Sequence, residues 1–335
     1  MLPLAVVAMA WANVVVPPAH AAPDTQATPL QLGLPVKCDM TRDCSIQKYV
    51  DRDAGPERLD YRCGTLTTNG HDGVDFRIRR SSDFGKNIPV AAAAAGTVLR
   101  VRDTMPDISV KDPAAPALGK RLAGNAVVIS HGDGWVTQYS HLKRGSIRVA
   151  AGEHIGKGAI IGAIGMSGNA EFPHLHFEVR HKDETIDPFA ADTSEGCTQQ
   201  QTSLWDEDTT SILTYKATVT LFSGFSATVS QALTGYQKTI KTPTLVNPDT
   251  LILWGVTSGI QSGDVEKFEI YDPKRGVILK REIHINKNNL QRVGYAGMRR
   301  PPQGWISGEY VGKYLLLRDG KIIGELSSIQ SVMGN

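Results

Sequence analysis

Between residues 71 and 189 glycines cut the chain into short apolar or alternating runs: "GVDFRI", "GTVLRV", "NAVVIS", "WVTQYSHL", "SIRVA", "AIIGAIG" and "LHFEVR". Runs of this length bounded by turn residues read as strands, and helical periodicity is scarce. The text predicts a mainly β chain, with a compact antiparallel sandwich or open barrel here. Residues 103–122, polar and proline-bearing, interrupt two of the runs; such insertions often form functional rims. A second series begins near residue 200: "TVTLFSG", "LILWGVT", "KFEIYD", "VILKREIHI" and "KYLLLRDGKIIGEL". In the last, Asp319-Gly320 separates two apolar runs, a strong hairpin signal. Roughly seven short strands in that stretch predict a small immunoglobulin-like β-sandwich.

The chain has 335 residues, a length suited to two domains. Lys and Arg number 36 against 34 Asp and Glu, so the net charge is +2 and nothing points to nucleic acid. Residues 1–22 read as a secretory signal: an apolar run to Val16, Pro17-Pro18, then Ala19-His20-Ala21. No Lys or Arg precedes Lys37, so the usual positive start is missing. The run is too short to span a membrane, and no transmembrane segment is expected after signal removal. The expected organisation is a signal peptide (1–22), a leader and disulfide-containing segment (23–67), a first β domain (68–197) and a C-terminal β-sandwich (205–335). Residues 37–70 show little periodicity and read as irregular. The protein is expected to be exported, to the periplasm or beyond, and a monomer is favoured. Cys38, Cys44, Cys63 and Cys197 fit an oxidising compartment. Of three possible pairings, Cys38–Cys44 and Cys63–Cys197 are favoured; without CxxC, a zinc ribbon is not expected.

The run "EFPHLHFEVR" carries His174 and His176 one residue apart. In a strand they face the same way, about 6.5–7 Å apart, while Leu175, Phe177 and Val179 face a core. His71 and Asp75 occur in "HDGVDF", with Gly73 between them. On a straight strand their side chains would lie about 13 Å apart, so they converge only if the chain bends, to which Gly73 is suited. His71, Asp75 and His176 would then make a mixed N/O set with a position left for water, the pattern of catalytic zinc. His131, His154, His181 and His284 read as hydrogen-bonded or solvated.

"GHDGVDF", "TQYSHL" and "PHLHFEV", in that order, resemble the three motifs of the M23 family of zinc peptidases, the lysostaphin and LytM type. "PVAAAAAGTVLRV" and "GEHIGKGAIIGAIGMSG" are also similar to that family's text, and the resemblance covers roughly residues 68–190. It implies Zn²⁺ on His71, Asp75 and His176. It implies that His141 and His174 stay off the metal, orienting the zinc-activated water and stabilising the oxyanion. It implies hydrolysis of peptidoglycan stem peptides or cross-links. Glu171-Phe172 stands where a glycine often precedes Pro-His-Leu-His, a departure bearing on substrate preference.

Other chemistries fit poorly. "GMSGN" is not the G-x-S-x-G elbow, "GEHIGKGA" is short of P-loop spacing, and HExxH is absent. A lipoyl or biotin carrier would need a lysine at a hairpin tip beside Met or Asp, which "GMSGN" lacks. The alternative function is a LytM-like, non-catalytic wall-binding regulator of another hydrolase; it predicts a broken His/Asp/His set, whereas here the set is intact.

Overall fold

A computed structural model describes residues 30–192, 196–197, 201–234 and 243–334. The expected signal peptide lies outside the described residues. Among the described residues ten strands precede residue 186: β1 (Cys44–Lys48), β2 (Val74–Ile78), β3 (Pro89–Ala91), β4 (Gly96–Arg102), β5 (Asn125–Gly132), β6 (Trp135–Leu142), β7 (His154–Ile155), β8 (Ile160–Ala163), β9 (His174–His181) and β10 (Glu184–Thr185). They form an antiparallel sheet in the order β1-β2-β9-β6-β5-β4-β7, with β10 on β9, and a separate β3–β8 pair. Alternation gives the sheet a core face: Val74 and Phe76 of β2, Val127 and Ile129 of β5, Tyr139 of β6, and Leu175, Phe177 and Val179 of β9 are buried together. The opposite face of β2, β6 and β9 is left for polar side chains.

Two sequence expectations change here. "SIRVA" is no strand; Arg148 N–H reaches Ile161 C=O and Ser146 Oγ accepts from Ala163, so it follows β8 without a ladder. Residues 37–70 are not merely irregular: they supply β1, which extends the sheet beside β2, and they bury Tyr49, Tyr61 and Leu66 in the first core. Both favoured disulfides are present, Cys38–Cys44 and Cys63–Cys197. The second joins this segment to the far end of the first unit.

The C-terminal strands are β11 (Val219–Ser226), β12 (Leu245–Val246), β13 (Thr250–Ile260), β14 (Val265–Tyr271), β15 (Val277–His284), β16 (Asn289–Arg299), β17 (Gly308–Arg318) and β18 (Lys321–Met333). They form two sheets, β11-β13-β16 and β12-β18-β17-β14-β15. Phe225, Leu251, Leu253 and Ala296 of the first meet Phe268, Ile270, Tyr310 and Tyr314 of the second, so the sheets share a core. Asp319 and Gly320 take φ of 51° and 74° with Arg318 paired to Lys321, the left-handed two-residue turn that closes the β17–β18 hairpin. The run forming β16 was not foreseen; "NLQRVGYAGMR" alternates weakly and holds two glycines. Leu290, at its start, packs against the first core. No helix among the described residues is long and apolar enough to cross a membrane.

Candidate metal centre and groove

Register builds the site. In the β2–β9 pairing Asp75 lies opposite His176 and Arg77 opposite His174; in β6–β9 Ser140 lies opposite His176. Three strands therefore aim polar side chains at one place on the non-core face. The chain bends at Gly73 just before β2, which brings His71 back over Asp75. Gly73 has a second reason to be glycine: a Cβ there would lie 2.7 Å from His176 Nε2 and 2.8 Å from Phe177 C=O.

His141 arrives by a different device. Strict alternation would place it with Tyr139 on the core face. Instead β6 carries a bulge: Tyr139 pairs with Val127 and Leu142 with Asn125, three residues against two. Both Tyr139 and Leu142 stay in the core, and His141, at φ 62°, joins Ser140 on the groove side. A non-glycine residue with left-handed backbone beside a site is a strain the surrounding fold must hold. Here His141 N–H donates to Ala123 C=O and its Nδ1 to Ser167 C=O at 2.8 Å.

His71, Asp75 and His176 each offer a ligand atom, all within 4.8 Å of one another. Their partners fix which atoms face inward. His71 Nδ1 lies 2.8 Å from Tyr49 C=O and must donate there, leaving the Nε2 lone pair toward Asp75 Oδ1 at 3.1 Å. His176 Nε2 faces Asp72 and Glu178 carboxylates at 3.2 and 3.4 Å, leaving Nδ1 toward the same Asp75 oxygen at 2.9 Å. When both rings are neutral, two nitrogen lone pairs and a carboxylate oxygen converge, a set that can hold a cation between them. Asp75 Oδ2 points away, 3.0 Å from Lys48 Nζ. The donor set fits zinc, and each imidazole already has the outer partner that metal-bound histidines use. Asp72 and Glu178 also form a second acidic group with His176, through its other nitrogen.

The electrostatics follow. Burial disfavours the Asp75 carboxylate, but attraction to His71 and His174 whenever they are protonated, and hydrogen bonds from His176 and His71, outweigh it and hold its pKa well below the usual range. Burial opposes charge on His176 too, yet bonds to Asp72, Asp75 and Glu178 raise it well above an ordinary imidazole. His141 and His174 go the other way. Burial, joined by the charges of His174 and His176, pushes His141 well below its normal value. Burial pulls His174 to about 4 despite the nearby Asp75. The His174 Nδ1 donates to Phe172 C=O at 2.9 Å, so Nε2 faces Asp75 Oδ1 at 3.7 Å. The His141 and His174 rings lie 4.7 Å apart.

The groove has a volume of about 600 Å³. One wall comes from the 103–122 insertion and its surroundings: Leu122 and Ala123 line it, and Lys111 pairs with Glu171 at 3.2 Å. The structure thus gathers all five residues singled out from sequence. It adds Tyr49 C=O, Lys48, Asp72, Glu178, Phe172, Leu290 and Gln291, which sequence reasoning did not name as site residues. Glu178 was within reach, since it sits two residues beyond His176 on the same strand face. The other histidines behave as expected: His131 bonds Ala95 C=O and Thr137, His154 contacts Thr97, and His181 stacks on Trp135.

Residues 69–188 match the model of Peptidase family M23. Cell division protein DipM of Caulobacter vibrioides is 31% identical over 128 residues, 36% of this chain and 17% of its own length. Peptidoglycan DD-endopeptidase ShyA of Vibrio cholerae is 44% identical over 57 residues, 17% of this chain and 13% of its own. Peptidoglycan DD-endopeptidase ShyB of the same organism is 33% identical over 122 residues, 36% and 23%. The chain thus spans less than a quarter of the length of these relatives. Among solved structures, a zinc-containing peptidase from Vibrio cholerae is 27% identical, covering 42% of this chain and 38% of its own, with a TM-score of 0.28. The catalytic domain of lysostaphin from Staphylococcus simulans is 23% identical, covering 44% and 90%, also with a TM-score of 0.28.

Proposed function

Because residues 69–188 belong to peptidase family M23, we propose that this chain is an exported zinc endopeptidase that hydrolyses peptide bonds in peptidoglycan stem peptides or cross-links. The observation that carries the reading is the convergence of His71 Nε2, Asp75 Oδ1 and His176 Nδ1 on one point, with every outer partner in place. These three residues would hold the metal. Zinc, when bound there, supplies Lewis acidity and makes hydroxide available near neutral pH. Tyr49 C=O, Asp72 and Glu178 fix the two imidazole tautomers, and Lys48 engages the Asp75 oxygen that faces away. His141 and His174, buried and neutral, present Nε2 where a proton is taken up and an oxyanion develops. The groove admits a flexible peptide.

Export rests on the residue 1–22 pattern, and the pairing of all four cysteines in disulfides supports an oxidising compartment. We keep the immunoglobulin-like description of the C-terminal sandwich within this proposal, supported by its two sheets around one core. The complete His71, Asp75 and His176 set counts against the regulator reading, which predicts a broken one. Metal analysis of the purified protein together with mass spectrometry of muropeptides after digestion tests the proposal. One zinc per chain and new peptide termini are expected; a metal-free, inactive protein under non-chelating conditions would overturn it.

A further inference from the structure

The C-terminal sandwich reaches the groove. Gln291 of β16 lines it, and its Oε1 accepts from Arg77 Nη1 at 2.6 Å. The same Nη1 donates to Gln47 Oε1 at 2.5 Å. Arg77 is 1% exposed, and its guanidinium lies 4.4 Å from the centre of the Phe172 ring. Phe172 in turn packs on His174, ring centres 4.9 Å apart, and its carbonyl accepts from His174 Nδ1. A contact path thus runs from the second domain to a histidine of the groove: Gln291, Arg77, Phe172, His174. The aromatic ring stands where the sequence departs from the glycine that often precedes Pro-His-Leu-His.

We propose that Gln291 is a positioning residue for hydrolysis: through Arg77 it holds the Phe172 ring against His174, making the C-terminal domain a working wall of the groove. The planar guanidinium suits this task, since it can stack on an aromatic face while its edge bonds the two carboxamides. Because Arg77 is buried, the direction of its fork is set by the acceptors it finds. Removing Gln291 Oε1 releases one of them, and with Gln47 Oε1 and Ile78 C=O remaining the guanidinium is held less firmly over the Phe172 ring. Phe172, Gln47 and Gln291 all line the groove, and none of them carries a charge.

This inference rests on the hydrolase reading, so the test includes a readout that needs no turnover. In the zinc-loaded full chain, nuclear Overhauser contacts between the Phe172 and His174 ring protons are measured for the natural protein, Gln291→Ala, Gln291→Glu, Phe172→Gly and the Gln291→Ala/Phe172→Gly pair. Zinc affinity and kcat on muropeptides are measured alongside. Gln291→Ala is expected to weaken the ring contact and lower kcat about ten-fold, with zinc affinity unchanged. Gln291→Glu, which keeps an acceptor for Arg77, should restore both. In the Phe172→Gly background Gln291→Ala should cost nothing further. An unchanged ring contact in Gln291→Ala, failure of Gln291→Glu to rescue, or additive losses in the double variant would overturn the proposal. An inactive natural protein would overturn the hydrolase reading instead, while the ring contact still decides the clamp.

Discussion

The groove has two halves built from the same residue type, and they differ in how closely each ring's inner nitrogen approaches the Asp75 carboxylate, 3.1 and 2.9 Å for His71 and His176 against 3.7 Å for His174. On one side His71 and His176 surround a deeply ionised carboxylate, and His176 leans on two more through Asp72 and Glu178. On the other, His141 and His174 donate to the backbone carbonyls of Ser167 and Phe172 and remain neutral because they are buried. The charged half is suited to gripping a cation. The neutral half is suited to receiving a proton or stabilising a new negative charge. Identity of residue does not separate the roles, nor does a backbone carbonyl behind the ring, which His71 shares with His141 and His174; contact with the Asp75 carboxylate does.

Substitutions should expose the contrast, most sharply at the charged half. Asp75→Ala removes the oxygen on which both imidazoles converge, and bound zinc and hydrolysis should both be lost, the latter by at least about 10³-fold. Elemental analysis and a muropeptide assay read the two together. His141→Ala or His174→Ala should instead keep the metal and lower kcat by about 10²–10⁴-fold; loss of zinc in either would erase the distinction. A smaller effect is expected at the outer ring of partners. Glu178→Gln should weaken zinc binding by about 10–100-fold, read by chelator competition, with activity recovered at saturating zinc.

Acid gives a further contrast. His176 has its pKa raised, so protons compete for it from above the ordinary imidazole range as pH falls. His174, held at about 4, stays largely neutral as pH falls from 7 to 5.5, and burial shifts His141 in the same direction. Activity lost over that interval should therefore be metal loss and should return with added zinc at pH 5.5. Failure of excess zinc to restore it would place the titration in the neutral half.

How much of this was legible in the chain depends on whether the information is local. Alternation in "PHLHFEV" announced both histidines, their shared face and the core behind them. The bend at Gly73 could be anticipated, although its close approach to His176 could not. His141 was found only through its motif, because alternation assigns it to the core and a bulge in β6 reverses that. "SIRVA" looked like a strand since its residues are strand formers, but no partner ladder was offered. Lys48 at the end of β1, the Tyr49 carbonyl just after it and Gln291 of β16 come from segments outside the motifs, and only the assembled sheets bring them to the groove. A backbone carbonyl leaves no trace in residue identity.

The central claim is that two of the four groove histidines hold the metal and two do not. X-ray absorption at the zinc edge of the loaded natural protein counts imidazoles directly through their multiple-scattering pattern. Two imidazoles with oxygen completing the shell is the predicted result; three or four imidazoles on the metal would contradict the division of the groove described above.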